Sequence, residues 1–445
     1  MSLRKLLSVI IFIINLAALV IPINSFYAVY DNLVYLPPML VLFILGSLMA
    51  YCPRKKPLPK RFMICSYGNR LLRLFLMSAC ISIMYQSVMA FAVAPGTWKL
   101  RLASIMVAII LEAVVFWMGI IMVYSTSTQL GIKTRVLGAV FGMVPIVNVI
   151  MLGKIITTTS DEIVFEWEKC ILNEKRKDEK ICATKYPLLM VHGVFFRDYK
   201  RVSYWGRITG ELIKNGATIY YGEHQSALSV EDSGRELALR IKKIVQDTGC
   251  EKVNIIAHSK GGLDSRMAIY AHDLEPYVAS LTTINSPHRG CKFADYLLNI
   301  MPQKIKDNVA ITYNATLKKL GDTNPDFLAA VRDLTSERGV YLDSMMKKPE
   351  AVFCQSVGSR LKKATSGKFP LNFSYLLVKY FDGYNDGLVG EDSFEWGDKY
   401  IVLDNQYDRG ISHGDVVDLN RENIPGFDVR EWYVSLVSDL RERGY

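Results

Sequence analysis

Apolar positions first run unbroken along the chain and later alternate with polar ones. Before about residue 152 the runs are long. Leu6–Ile23, Leu33–Tyr51, Leu74–Val93 and Leu102–Tyr124 each come close to or exceed the roughly 20 mostly apolar residues of a membrane-spanning helix. The last of them holds a charge, Glu112. These four segments are predicted as spans. Pro37 and Pro38 stand near the start of the second, where a helix tolerates them. The first lacks a small-residue cleavage site and is followed by further apolar runs, so it reads as a retained anchor rather than a signal peptide. A fifth, shorter run, Val136–Leu152, contains Pro145 and Asn148. It reads as a kinked span, a re-entrant segment or a helix lying in the interface.

Beyond residue 185 the pattern changes to short apolar strands alternating with amphipathic helices. Strands are predicted at Pro187–Val191, Ala217–Tyr221, Val253–Ala257, Val278–Ile284, Val352–Val357 and Tyr400–Leu403. Helices are predicted at 232–247, 261–272 and near Val429–Arg443. In the first of these, Leu237, Ile241, Ile244 and Val245 fall at helical spacing. Asp232 or Ser233 suits its N-cap, and Gly249 lies just past its end. Strands alternating with helices predict a largely parallel sheet covered on both faces. The fold class is therefore α/β, preceded by an all-α transmembrane region. The expected division is 1–155 membrane region, 156–185 charged linker or helix, and 186–445 catalytic domain. The run Asn173–Lys180 (NEKRKDEK) reads as solvated.

The 445 residues carry a net charge of +10. Much of the excess sits beside the apolar runs, in Arg54, Lys55, Lys56, Lys60, Arg61, Arg70 and Arg73. Next to hydrophobic spans such a cluster marks a cytoplasmic membrane loop rather than a nucleic-acid site. With the basic residues at Arg4, Lys5, Lys133 and Arg135, it predicts an N-terminus inside and the chain inside again after the fourth span. The catalytic domain is then cytoplasmic if the fifth run does not cross. Five of the 8 cysteines follow the spans at irregular spacing, without a CxxC pair. That pattern argues against zinc and for reduced thiols. Glu112, read as a lone carboxyl without a partner, is assigned to a packed helix interface rather than to function.

The sharpest chemical feature is Ala257-His258-Ser259-Lys260-Gly261-Gly262, between a predicted strand and a predicted helix. That is the setting of a nucleophile elbow, a tight bend that presents a serine above the edge of a sheet. Small residues are needed there because the turn brings backbones close together. Serine is a weak nucleophile and needs a base, oriented by an acid. In this fold the order along the chain is serine, acid, histidine. His413 is the histidine well downstream of Ser259. For the acid, Asp386 follows the apolar run Tyr375–Phe381 in an Asn-Asp-Gly turn. Asp382, also followed by glycine, competes with it. A tetrahedral intermediate also needs backbone N–H donors. Lys260, the residue after the serine, supplies one through its backbone, and Val194, after the first strand, is the candidate for the second. His192 is read as a structural residue shaping that loop.

These stretches resemble the α/β-hydrolase serine lipases and esterases, in particular the Pseudomonas- and Burkholderia-type bacterial triacylglycerol lipases. The resemblance rests on PLLMVHGVFFRD at 187–198, KVNIIAHSKGGLDSRMAI at 252–269, LTTINSPHRGCKFADYL at 281–297, NDGLV at 385–389 and SHGDVVDL at 412–419. It implies ester hydrolysis through an acyl-enzyme on Ser259, with Asp386 and His413 as acid and base and Val194 and Lys260 as oxyanion donors. It also implies a lid and substrate entry near residues 298–350, which begin beside Leu297, Leu298, Ile300 and Met301. The apolar first third lies outside the resemblance. A calcium site of those lipases would use Asp415, but a partner aspartate is missing between Val357 and Phe381, so no cofactor is expected. The sequence thus predicts a multi-pass cell-membrane serine hydrolase acting on acyl esters of lipids at the bilayer. An acyltransferase or thioesterase with the same triad is the first alternative, and a binding-only membrane scaffold the second.

Overall fold

Residues 188–191 show how the sheet is built. Leu188 and Met190 enter one hydrophobic core and Leu189 and Val191 enter another, because successive side chains of a strand point to opposite faces. The computed structural model describes residues 3–50, 58–92, 97–144, 146–194, 203–319, 321–368 and 371–445. They form two units, Met1–Lys175 and Arg176–Tyr445.

In the second unit, six parallel strands run in the order β2-β1-β3-β4-β5-β6 among the described residues. They are β1 Leu188–Val191, β2 Ile219–Tyr221, β3 Val253–His258, β4 Val278–Ile284, β5 Phe353–Ser359 and β6 Lys399–Leu403. β1, β3 and β4 are buried along their whole length, as expected of central strands covered on both faces. On one face, Met190, Ile256, Ile284 and Val357 pack against Trp205, Ile208 and Leu212, and against Tyr433, Val434 and Val437. These come from or lie beside α8 (Ile208–Lys214) and α16 (Val429–Glu442). On the other, Val253, Ile255, Ala257 and Leu281 pack against Leu237, Ile241, Ile244, Ala268 and Ile269. These belong to α9 (Val230–Thr248) and α10 (Lys260–Ala271).

α9 starts two residues before the predicted span. Ser229, not Asp232 or Ser233, is its N-cap and accepts the Asp232 N–H. Gly249 ends it at φ +70°, the left-handed conformation glycine adopts without a Cβ penalty. The chain leaves β1 toward β2 on one side and returns to β3 on the other. Such a reversal opens a crevice at the carboxyl ends of the two strands.

Between β4 and β5 lie α11 (Lys292–Ile300), α12 (Gln303–Lys319), α13 (Phe327–Arg332) and α14 (Ser336–Met345), over the stretch expected to form the lid. The apolar run before Asp386, Tyr375–Phe381, falls within a helix, α15 (Leu371–Asp382). Its buried residues are Leu371, Tyr375 and Val378, three to four apart. Helical spacing decided between helix and strand in a run too short to show its period plainly.

The first unit is helical. α1 (Leu3–Ile23), α4 (Lys60–Ala92) and α5 (Trp98–Thr126) are long and apolar enough to cross a membrane. A short α2 (Phe26–Asp31) precedes the second predicted span. The span itself opens with a 3-10 turn at Leu33–Tyr35 and continues directly into α3 (Leu36–Met49), forming one apolar helical stretch shorter than the other three. The fifth run divides into α6 (Gly131–Val140) and the start of α7 (Val147–Lys175). α7 continues through the stretch expected to be a linker and buries Glu162, Glu166 and Lys169. In the acidic and basic run after it, Arg176 is buried and pairs with Glu431, so that run is not uniformly solvated.

α4 and α5 approach at Gly68 and Gly119. A Cβ on Gly68 would lie 2.8 Å from the Gly119 carbonyl oxygen. Small residues allow such close helix crossings where the hydrophobic effect gives little help. Cys52, Arg54, Lys55, Lys56 and Pro145 lie outside the described residues, as do Phe195–Asp198 of the first lipase-like stretch. The seven described cysteines are free thiols.

Candidate active site

β3 ends at His258, and Ser259 follows at φ +55° and ψ −132° before α10 begins. A left-handed serine is strained, and it persists where the surroundings fix it. Here the Ser259 N–H donates to the Ile284 carbonyl at 2.9 Å, and its own carbonyl accepts from Gly262 at 3.0 Å. The bend explains the two glycines. A Cβ on Gly261 would sit 2.4 Å from the His192 carbonyl oxygen, and one on Gly262 would sit 2.1 Å from Ser286 Oγ. Gly261→Ala is therefore expected to cost about 2–3 kcal/mol, a fall of about 5–10 °C in Tm. Gly210→Ala, with nothing within 4 Å of the added carbon, is the control. Equal melting temperatures for the two variants would remove the close-approach argument.

The first strand's loop abuts the elbow. A Cβ on Gly193 would lie 2.8 Å from Ser259 Cβ, so Val194 follows a residue in contact with the serine. Gly193 N–H donates to Tyr204 Oη at 3.0 Å, and that hydroxyl lies 2.6 Å from His258 Nδ1. Tyr204 thus ties the loop after β1 to the elbow. His192 contacts the carbonyls of Gly193 and His224 and stacks on the His224 ring, with centroids 4.0 Å apart. These are structural contacts, in keeping with its sequence reading.

Lys260 caps the other side. Its ammonium is buried and turned into the protein, 2.6 Å from Asp264 Oδ1 and 3.1 Å from Ser233 Oγ. Its backbone N–H stands at the first position of α10, one of the N–H groups that a helix leaves without an internal acceptor. Burial pushes the Asp264 carboxyl up to about 7, against the opposing pull of Lys260.

His413 and Asp386 come together as expected. His413 Nδ1 lies 2.6 Å from Asp386 Oδ2, and the His413 backbone N–H donates to the Asp386 carbonyl at 2.9 Å. The His413 ring stands 4.5 Å, centroid to centroid, from that of His258, the neighbour of Ser259. Asp386 is wholly buried, and its Oδ1 accepts the N–H groups of Leu388 and Val389, each at 2.9 Å. The competitor Asp382 points elsewhere. Its carboxylate accepts the N–H groups of Lys292 and Phe293, each at 3.2 Å, at the start of α11.

Asn285 was missed by sequence reasoning. It follows β4 at φ +48° and donates Nδ2–H to Asp386 Oδ2 at 2.6 Å and to Ser359 Oγ at 2.7 Å. Its signal lay in the Ile-Asn-Ser-Pro stretch, but a single asparagine after a strand reads as an ordinary turn residue. Tyr204 was missed because it approaches the elbow only through the fold.

Asp415 does not fit a calcium site. Its carboxylate accepts Ser412 N–H at 2.9 Å and meets the Arg409 guanidinium at 3.2 Å. Its carboxylate is thus already engaged by a backbone N–H and a cation, neither of which is a metal ligand. Among the described residues no cluster of three acidic, histidine or cysteine side chains is arranged to hold a metal.

His288 carries a pH consequence. Burial holds its imidazole well below its ordinary value of 6.5, with Arg266 adding to the effect, and its ring lies 3.0 Å from Arg266 and 2.9 Å from Thr283. A histidine kept neutral when folded takes up protons below pH 6.5 only when unfolded, so stability is lost as pH falls below 6.5. His288→Gln is expected to flatten the acid side of the stability profile by up to about 1.4 kcal/mol per pH unit. Equal slopes for variant and wild type between pH 6.5 and 5 would rule this out.

A parallel sheet of six described strands with helices on both faces, a serine bend at the carboxyl end of β3, and a His–Asp pair near it define the class: Arg176–Tyr445 has the α/β-hydrolase fold and resembles the serine lipases and esterases. No protein-family model matches the chain. The chain is 36% identical over 167 residues to a triacylglycerol lipase of Pseudarthrobacter phenanthrenivorans, covering 35% of this chain and 51% of that protein. It is 36% identical over 167 residues to a triacylglycerol lipase of Burkholderia plantarii, covering 35% and 46%. A triacylglycerol lipase of Vibrio cholerae is 32% identical over 185 residues, 39% of this chain and 58% of that one. The chain thus spans about half the length of the curated relatives it matches. Among solved structures it is similar to a Staphylococcus hyicus lipase, with TM-score 0.47 and 16% identity over 58% of this chain and 97% of that chain.

Proposed function

We propose that the protein is a membrane-anchored serine hydrolase that cleaves acyl esters of lipids. The observation that carries this reading is Ser259, held at φ +55° at the sheet's reversal point beside the hydrogen-bonded His413–Asp386 pair. Asp386 holds His413 with Nδ1 protonated, which leaves Nε2 as the base. As Ser259 Oγ bonds to the ester carbonyl carbon, its proton passes to His413. The carbonyl π pair becomes an oxyanion, received by the N–H groups of Val194 and Lys260. Collapse expels the alcohol, which takes the proton from His413, and leaves the acyl group on Ser259. Water then repeats the sequence and releases the acid. Asn285 shares the charge of Asp386 and fixes its rotamer.

Three apolar helices in the first unit support anchoring. The basic residues flanking the runs support a cytoplasmic catalytic unit. Exposed apolar residues of the inserted helices support lipid as substrate. Ile300, Ile305 and Ile311 stand out on α11 and α12, and Phe373, Leu376 and Tyr380 on α15, where Phe373 is 72% and Tyr380 82% exposed. α15 thus extends the apolar entry beyond the stretch assigned to the lid from sequence.

The test is hydrolysis of p-nitrophenyl esters of increasing chain length by the full chain in detergent. The expected result is a rate that rises with acyl length. A preference for acetate or butyrate would sink the lipid reading and leave an esterase. No hydrolysis by a folded protein would sink both, and transfer from an acyl thioester to an alcohol acceptor would then become the reading.

A further inference from the structure

Glu112, read from sequence as lacking a partner, sits in a polar network. Ser78 Oγ donates to its Oε2 at 2.9 Å and Ser82 Oγ to its Oε1 at 3.1 Å. Asn24, just past the end of α1, donates to Ser82 at 2.9 Å, and Gln86 of α4 donates to Ser104 of α5 at 3.1 Å. Glu112 lies halfway along α5, about 21 Å from either end, too deep for its short side chain to reach an interface. Among the described residues neither lysine, arginine nor histidine pairs with it. A carboxyl at that depth without a cation is costly as structure alone, and is by default a candidate functional group.

Beside this network, α4 and α5 border an open groove of ≈ 620 Å³, within the size range of ligand sites. Its lining runs along one face of α4 from Phe75 to Ala90, about 22 Å at the helical rise. Alanines 79, 108 and 113 leave the space open. The Phe75 and Phe116 rings, with centroids 5.1 Å apart, stand at one end. The polar lining is Ser82, Gln86, Ser87 and Glu112. Gln86 and Ser104 lie near the ends of their helices, so the polar strip descends from the helix ends to Glu112.

We propose that this groove binds a single-chain lipid with a neutral, hydroxyl-bearing end, of the monoacyl- or monoalkylglycerol class. The chain lies along the alanine floor, and the hydroxyls donate to Glu112, whose oxygens have lone pairs left after the two serines. Gln86 supplies a second polar partner. A neutral, hydroxyl-bearing head suits the site because its polar lining is serine hydroxyls, a glutamine amide and one carboxyl, all hydrogen-bonding partners for hydroxyls, with no basic residue among the described lining residues to receive an anion. The proposal goes beyond the hydrolase reading and does not depend on Ser259.

The test uses the full chain in detergent and a diazirine derivative of 1-O-hexadecylglycerol, an ether that the hydrolase cannot cleave. The expected result is saturable labelling of α4 and α5 peptides, unchanged in Ser259→Ala. Labelling efficiency should drop about tenfold in Glu112→Leu, the scale of leaving a buried polar group without its hydrogen-bond partner. Ala113→Phe, which fills the groove and leaves the carboxyl in place, should block labelling as well. It keeps the test decisive if Glu112→Leu fails to fold, and the melting temperature of each variant checks folding. Non-saturable labelling, or equal labelling in a folded Ala113→Phe, overturns the site. Labelling confined to peptides around Ser259 overturns it too, by showing the hydrolase site as the binder. Competition by hexadecylamine and not by the unlabelled ether overturns the neutral class.

Discussion

Ser259→Ala is expected to lower ester hydrolysis by roughly 10⁶-fold in kcat, the scale reached when the serine of a triad is removed alone. The loss should appear without unfolding. The substitution removes one oxygen and keeps the backbone, so the N–H bond to Ile284 and the Gly262 bond to the Ser259 carbonyl persist. The positive φ is kept as well, and alanine bears it no better than serine. The measurement is turnover of the best p-nitrophenyl ester, with the melting temperature taken on the same samples. Hydrolysis at the wild-type rate would move the nucleophile elsewhere and remove the proposed mechanism.

The second large effect separates the two aspartates. Asp386→Asn is expected to cost roughly 10⁴-fold in kcat, as loss of the acid's charge does in comparable triads. An amide at 386 can offer its NH₂ group to His413 Nδ1 and so favours the tautomer that protonates Nε2, which cannot accept the serine proton. Asn285 would also face an amide where it now donates to a carboxylate. Asp382→Asn keeps an oxygen to accept from Lys292 or Phe293. It is expected to leave kcat within about threefold and to lower stability by about 1 kcal/mol or less, the range of a lost helix cap. The two variants assayed side by side decide the acid. A large loss at Asp382 together with a small one at Asp386 would reverse the assignment.

Much of the second unit's fold was legible in the sequence. β4 falls on the predicted Val278–Ile284, and the central strands lie within a residue or two of expectation. Buried strands read as short runs of branched apolar residues, and the elbow carries glycines that backbone contact demands. α15 was not legible as a helix. Its hydrophobic residues cover both the buried and the exposed face, which erases the period that distinguishes a helix from a buried strand. In the first unit hydropathy marked the apolar runs but not where each helix ends, so the run from Leu33 does not reveal that it opens with a 3-10 turn and that its α-helix begins at Leu36.

The sequence by itself determined the parallel α/β class, placed Ser259 in a strand-to-helix bend and singled out His413 as the candidate base, because those features depend on local spacing and on order along the chain. Only the tertiary structure decided the rest. It distinguished Asp386 from Asp382, since both precede glycine and only packing turns one toward His413 and the other toward α11. It added Asn285 and Tyr204, whose partners lie 101 and 54 positions away. It replaced the lone Glu112 with a network drawn from α4, α5 and Asn24 just past α1. Such choices rest on hydrogen bonds between distant segments, and a one-dimensional pattern carries no signal for a contact that exists only after the chain has folded.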